Sequence, residues 1–193
     1  MTTQQDTESF RHRQVPPLDL NTGLGRFRLA FGYLIGAACL FLVQRPLLLP
    51  GVLIALLGIG IRVWAAGCIV KKRRLTTTGP YSLTRNPLYL GSFLLGAGSI
   101  MAVRIWWLLL VYIPGFALFY VPTIAKEERY LHELYGEEYN EYRRRVPTFI
   151  PWKPLFTKGG FSFTELRRNR EHIHAIVYIL FLGLLEMIGF IRA

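Results

Sequence analysis

Residues 47–70 read LLLPGVLIALLGIGIRVWAAGCIV, a run in which Arg62 is the sole charged side chain. A helix of about 20 apolar residues crosses the hydrocarbon core of a bilayer while satisfying its own backbone hydrogen bonds, so this run reads as a membrane span. Four more segments approach that length: LAFGYLIGAACLFLV (29–43), LYLGSFLLGAGSIMAV (88–103), IWWLLLVYIPGFALFYVPTIA (105–125) and IHAIVYILFLGLLEMIGFI (173–191). The third and fourth spans are parted only by Arg104, which predicts a tight helical hairpin. With 52% hydrophobic residues in a 193-residue chain, the expected class is all-α: a polytopic membrane bundle of about five transmembrane helices, with a further cytoplasmic helix in the C-terminal half. The expected organisation is a polar tail over 1–28 followed by one membrane domain over 29–193.

The net charge of +11 does not point to nucleic acid, because the bases are gathered in loops beside the apolar runs. Nineteen Lys and Arg residues fall in the tail, in 71–87 and in 125–174, against Arg45, Arg104 and Arg192 on the other side. By the positive-inside rule the N-terminus and both charged segments face the cytoplasm, and the C-terminus faces away from it. The tail is too long and too acidic at its start for the basic region of a cleaved signal peptide, so the first span is expected to remain in the protein. Cys39 and Cys68 lie inside apolar runs and read as packing residues. The four histidines are scattered, and no metalloprotease, P-loop or Ser-His-Asp pattern is present, so no metal is expected.

Two polar segments carry the candidate chemistry. In TTGPYSLTRNPLYLG (77–91), Gly79-Pro80 makes a turn, and Pro87 favours an extended Asn86 followed by a helix start. Arg85 and Asn86 then stand at a helix N-terminus, a natural place for an anion, and Tyr81 and Tyr89 offer flat faces with polar tips. The bland alternative is an interfacial turn with aromatic anchors. The second segment is KEERYLHELYGEEYNEYRRRVPTFIPWKP (126–154), expected to begin a helix near 126, with Glu127 and Glu128 in its first turn and Gly136 interrupting it. Acids so near a membrane need solvent or a cation, and a sulfonium or ammonium would suit them. Tyr139 and Tyr142 continue a helical face, read as sitting at headgroup level with Arg143, Arg144 and Arg145 against anionic lipid. Residues 151–172 read as an aromatic, basic linker. Arg62 is either an intramembrane functional residue or one that snorkels to the basic loop.

GPYSLTRNPLYLG followed about 35 residues later by EERYLHELYGEEYNEYRRRVPTFIP resembles the isoprenylcysteine carboxyl methyltransferase and phospholipid methyltransferase family of membrane enzymes, over roughly residues 50–152. The resemblance implies a small membrane helix bundle that transfers a methyl group from S-adenosylmethionine at the cytoplasmic face. It implies that Arg73, Arg74, Leu75, Thr76, Tyr81, Asn86, Pro87, Leu88 and Tyr89 contact the cofactor, together with Glu127 and its neighbour Glu128. Glu127 and Arg85 are the candidate catalytic residues, and Arg62, Thr123 and Arg145 the candidate substrate contacts. Two departures stand out. Asn86 replaces the commoner histidine and does not titrate near neutrality, and Thr123 replaces an arginine associated with a substrate carboxylate. The expected partners are the bilayer and a lipophilic or small methyl acceptor: a carboxylate of a prenylated molecule, a lipid amine or a thiol. An NADPH-dependent reductase of the sterol-reductase type and a non-catalytic protein of the same fold stay open.

Overall fold

Glycines decide how the two central helices meet. In the computed structural model, which describes residues 23–69, 75–152 and 156–193, α1 spans Gly23–Leu42 and α2 spans Leu49–Cys68. A 3-10 turn at Gly79–Ser82 leads to α3, Pro87–Ala102, and α4 runs over Trp106–Tyr135. The chain ends with α5 (Glu137–Arg145), α6 (Phe163–Arg168) and α7 (Glu171–Ile191). The α2 and α3 backbones lie so close that a Cβ on Gly51 would fall 2.2 Å from the Ala102 nitrogen, and one on Gly98 would fall 2.4 Å from the Ala55 nitrogen. Gly58 and Gly91 face each other in the same way. In lipid, where helix association has little hydrophobic driving force, such small-residue seams let dispersion contacts hold helices together.

Around that seam, Ile35 and Cys39 of α1 with Val43 just after it, Ile100 of α3, Leu108, Tyr112 and Phe116 of α4, and Leu182 and Leu185 of α7 form the buried core. Outward-facing positions are apolar as well: Tyr33, Phe41, Leu110, Leu118, Leu180 and Phe190 are all exposed, as lipid-facing side chains are. Both cysteines are free and buried, as packing residues. The described residues hold helices and no strand, so the chain is an all-α membrane bundle. Of the five expected spans, α2, α4 and α7 are long and apolar enough to cross a membrane, and α3 is a shorter apolar helix of 16 residues. The fifth, α1, has 20 residues but starts at Gly23, inside the predicted tail, and so includes Arg26 and Arg28.

The α3–α4 hairpin closes at Arg104, a non-glycine residue at φ 62°. The structure changes three expectations downstream. No helix starts near 126, because α4 continues unbroken to Tyr135, placing Glu127 and Glu128 in a helix interior. Tyr139 and Tyr142 do not face outward but are buried within the protein, with Leu75 packed against them. The predicted linker contains α6, capped by the Ser162 hydroxyl, and it docks on the end of α2 through a hydrogen bond from Asn169 Nδ2 to the Ala66 carbonyl (2.8 Å).

Candidate active site

The loop before α3 is laced to the chain that follows α5. Thr84 Oγ1 donates to the Thr148 carbonyl at 3.1 Å, and the Arg85 amide donates to the Pro147 carbonyl at 2.9 Å. The Gly79 amide donates to the Thr157 carbonyl at 2.8 Å, and Tyr142 Oη donates to the Tyr81 carbonyl at 2.7 Å. Burial pushes the Tyr142 hydroxyl pKa upward, which keeps it protonated and able to make that bond. Gly79 holds φ 64°, a left-handed conformation that suits glycine, and Gly159 approaches within 2.7 Å of the Gly79 nitrogen, measured from where its Cβ would be.

This lacing aims two adjacent carboxylates at different targets. Successive helix residues project about 100° apart, so Glu127 and Glu128 cannot share one partner face. Glu128 receives a two-pronged hydrogen bond from Arg85, Nε to Oε1 and Nη2 to Oε2, both at 3.0 Å. Asn86 Nδ2 adds a bond to Glu128 Oε1 at 3.2 Å and another to the Thr148 carbonyl at 3.1 Å. Arg85 also donates to the Arg143 carbonyl, the Val146 carbonyl and Thr148 Oγ1, so all five of its N–H donors are engaged. Its side chain is 7% exposed.

Glu127 turns instead towards Tyr89, whose hydroxyl donates to Glu127 Oε1 at 2.6 Å. The same hydroxyl accepts from Arg28 Nη1 at 3.1 Å. The Arg28 guanidinium lies 5.6 Å from the centroids of both Tyr89 and Tyr120, whose rings meet edge to face. Tyr81 packs among Ala65, Cys68, Trp64 and Leu88, and its buried hydroxyl has no hydrogen-bond partner among the described residues. Burial first, with the charge of Glu127 among the lesser causes, pushes the pKa of that hydroxyl well up, so it remains a donor.

The other predicted residues are spread more widely. Leu75 packs against the Tyr139–Tyr142 cluster, Thr76 is half-buried beside the loop, and Pro87 opens α3 fully buried. The Leu88 carbonyl accepts from Arg62 Nη1 at 3.3 Å. Arg73 and Arg74 lie outside the described residues. Arg62 forms a two-pronged ion pair with Glu171, Nε to Oε1 at 2.6 Å and Nη2 to Oε2 at 3.0 Å, and also donates to Ser92 Oγ. Thr123 is buried, and its hydroxyl donates back along α4 to the Phe119 carbonyl at 2.9 Å. Arg145 pairs with Glu141 on the exposed rim of α5 and helps to line a basic cleft of about 170 Å³ with Arg85, Arg143, Arg144, Thr148 and Trp152.

Sequence reading missed Arg28, Tyr120, Thr148 and Glu171. Arg28 sits in a polar tail whose arginines answer a charge count, and Glu171 precedes the fifth apolar run by two residues. Their roles come from contacts 61 and 109 residues away along the chain.

Residues 47–138 match the phospholipid methyltransferase family model. Among curated proteins, the chain is 39% identical to the cobalt-zinc-cadmium resistance protein CzcN of Cupriavidus metallidurans, over 62% of this chain and 56% of that one. It is 36% identical to the nickel-cobalt-cadmium resistance protein NccN of Alcaligenes xylosoxydans xylosoxydans, over 67% and 60%. It is 33% identical to the protein-S-isoprenylcysteine O-methyltransferase of Schizosaccharomyces pombe, over 44% and 36%. The matched region thus spans little more than half the length of the first two relatives. No solved structure matches the chain. The apolar bundle, the laced turn before α3 and the paired acids of α4 agree with these matches, which support kinship with the isoprenylcysteine and phospholipid methyltransferase family of integral membrane proteins over residues 47–138.

Proposed function

We propose that this protein is an S-adenosylmethionine-dependent methyltransferase that modifies a lipophilic or small acceptor at the membrane surface. One observation carries the reading: the 2.6 Å bond between Tyr89 and Glu127, which makes a corner of carboxylate and aromatic rings suited to a cation. The buried Tyr81 hydroxyl in the turn before α3, which has no partner among the described residues, fits a ligand that brings its own acceptor atoms. The donor set therefore suits a molecule that joins a sulfonium to polar amino-acid and nucleoside parts. When bound, that cofactor supplies a methyl group on a sulfonium, already activated towards transfer.

The chain's own residues then have three tasks. Glu127 offsets the positive charge of the bound cation, and Tyr89 fixes the orientation of that carboxylate through its hydroxyl. The Tyr89 and Tyr120 rings lend cation-attracting faces and exclude water. Arg85, Asn86 and Glu128 act as a rivet that holds the loop in register with α4, a positioning role rather than contact with reacting atoms. Proximity and alignment of this sort supply roughly 7–11 kcal/mol of barrier reduction in favourable cases, so no strong nucleophile from the protein is required.

The charge bias of the loops supports a cytoplasmic site with the acceptor entering sideways from the bilayer. The test is titration of purified protein in detergent with S-adenosylmethionine. Saturable binding that Tyr89→Ala and Glu127→Ala weaken by about tenfold or more is the expected result. No saturable binding, or binding indifferent to both substitutions, refutes it, and a preference for NADPH would instead support a reductase.

A further inference from the structure

With Tyr139 and Tyr142 turned into the protein, the end of α5 offers the membrane a different edge. Arg85 sets its depth. The same guanidinium grips Glu128, two residues past Lys126 where charge first appears in α4, and donates to the Arg143 and Val146 carbonyls at and just beyond the end of α5. The tip of α5 is thereby brought back to the level at which α4 leaves its apolar half. A helix C-terminus ordinarily repels an anion, because unpaired carbonyls gather there. Here Arg85 covers two of those carbonyls, and the surface that remains is positive.

That surface is the cleft of about 170 Å³ lined by Arg143, Arg144, Arg145, Thr148 and Trp152 together with Arg85. The Arg143 guanidinium has no hydrogen-bond or ion-pair partner among the described residues. Arg144 and Arg145 hold Glu137 and Glu141 in exposed pairs, which are weak and give way to a better-placed anion. Thr148 Oγ1 accepts from Arg85, so its own proton is left to donate. Beside these donors the surface turns apolar at once: Ile150 and Trp152 are 69% and 71% exposed. A phosphate among the arginines, with hydrocarbon along Ile150 and Trp152, engages both halves, whereas a free phosphate engages one. We propose that this cleft is a headgroup site for an anionic phospholipid, held as an anchoring ligand and not as the methyl acceptor. The phosphate alone is recognised, and the cleft lies on the Glu128 side of α4, apart from the Glu127 corner. Zwitterionic lipid is disfavoured, because its ammonium meets the same arginines. By tying residues 146–152 to the bilayer, the lipid steadies the chain to which the loop before α3 is laced.

The test is native mass spectrometry of the full chain in detergent, titrated with phosphatidylglycerol and phosphatidylcholine, with inorganic phosphate and a poly-glutamate peptide as competitors. Phosphatidylglycerol, which carries no amine, thiol or carboxylate to methylate, should bind about tenfold or more tighter than phosphatidylcholine. Arg143→Gln breaks no ion pair and should weaken that binding severalfold. Substituting Arg143, Arg144 and Arg145 together by Gln should reduce it to the phosphatidylcholine level, and Trp152→Ala should weaken both lipids. Glu137→Gln combined with Glu141→Gln releases Arg144 and Arg145 and should tighten phosphatidylglycerol binding, a gain that misfolding does not mimic. Equal affinity for the two lipids overturns the proposal. So does a preference that survives the triple substitution, or the single Arg143→Gln should the triple variant fail to fold. Displacement of phosphatidylglycerol by an equal concentration of inorganic phosphate or of the peptide would assign the cleft to a soluble anion or an acidic polypeptide instead.

Discussion

Glu127 and Glu128 are adjacent in sequence and live in different chemical worlds. Glu128 is saturated: Arg85 grips both its oxygens, Asn86 adds a further bond, and Arg85 spends its remaining donors on carbonyls at and just beyond the end of α5 and on the Thr148 hydroxyl. Glu127 faces the Tyr89–Arg28–Tyr120 cluster, where cationic and aromatic groups meet at the edge of the bundle. The contrast teaches that a paired-acid motif divides labour between holding a loop in place and meeting a ligand. Which acid does which depends on the 100° step between them.

Breaking the rivet should cost most. Arg85→Ala or Glu128→Ala strips one partner from a poorly exposed ion pair, a change that typically destabilises by about 3–5 kcal/mol. The expected outcome is a lower thermal midpoint in detergent for each, with the double variant less unstable than the sum of the two. Additive losses would show that the pair is not coupled.

A contrasting effect is expected at the other acid. Glu127→Gln should weaken S-adenosylmethionine binding by about tenfold or more, a loss of roughly 1.4 kcal/mol per decade, with a smaller shift in thermal midpoint than Glu128→Ala. Equal loss of stability from both would erase the division of labour. Asn86→Ala removes two hydrogen bonds from the rivet side and should cost about 1–3 kcal/mol of stability. Because the Asn86 side chain carries no titrating group, cofactor binding should show no pH step from this position.

The smallest expected change comes from Tyr89→Phe. It keeps the ring and removes the hydroxyl that bridges Arg28 and Glu127, so cofactor affinity should fall by severalfold, about 0.5–1.5 kcal/mol. A loss as large as that of Tyr89→Ala would assign the hydroxyl, rather than the ring, the main role. Orientation is tested separately: a reporter fused after Ala193 should behave as non-cytoplasmic.

Much of this was legible in the chain because the bilayer imposes a crude rule. Apolar length alone announced α2, α4 and α7, and Pro87 announced the start of α3. Charge arrives near 126 and mimics a helix start, whereas the backbone simply continues from the apolar half of α4 into its polar half. The spacing of Tyr139 and Tyr142 fits a helix face equally well whether lipid or protein covers it, and here protein does.

By itself, the sequence determined an all-helical membrane protein and the turn at Gly79-Pro80, and it singled out Arg85, Asn86, Tyr89, Glu127 and Glu128 as candidates, since these depend on local chemistry and on the solvent. Only the tertiary structure decided that Arg85 rivets a loop, that Arg62 is matched by Glu171, and that Arg28 reaches Tyr89 from another helix. Those facts join residues 43, 109 and 61 positions apart. An arginine's partner is fixed by which helix faces it across the bundle, and no local spacing records that.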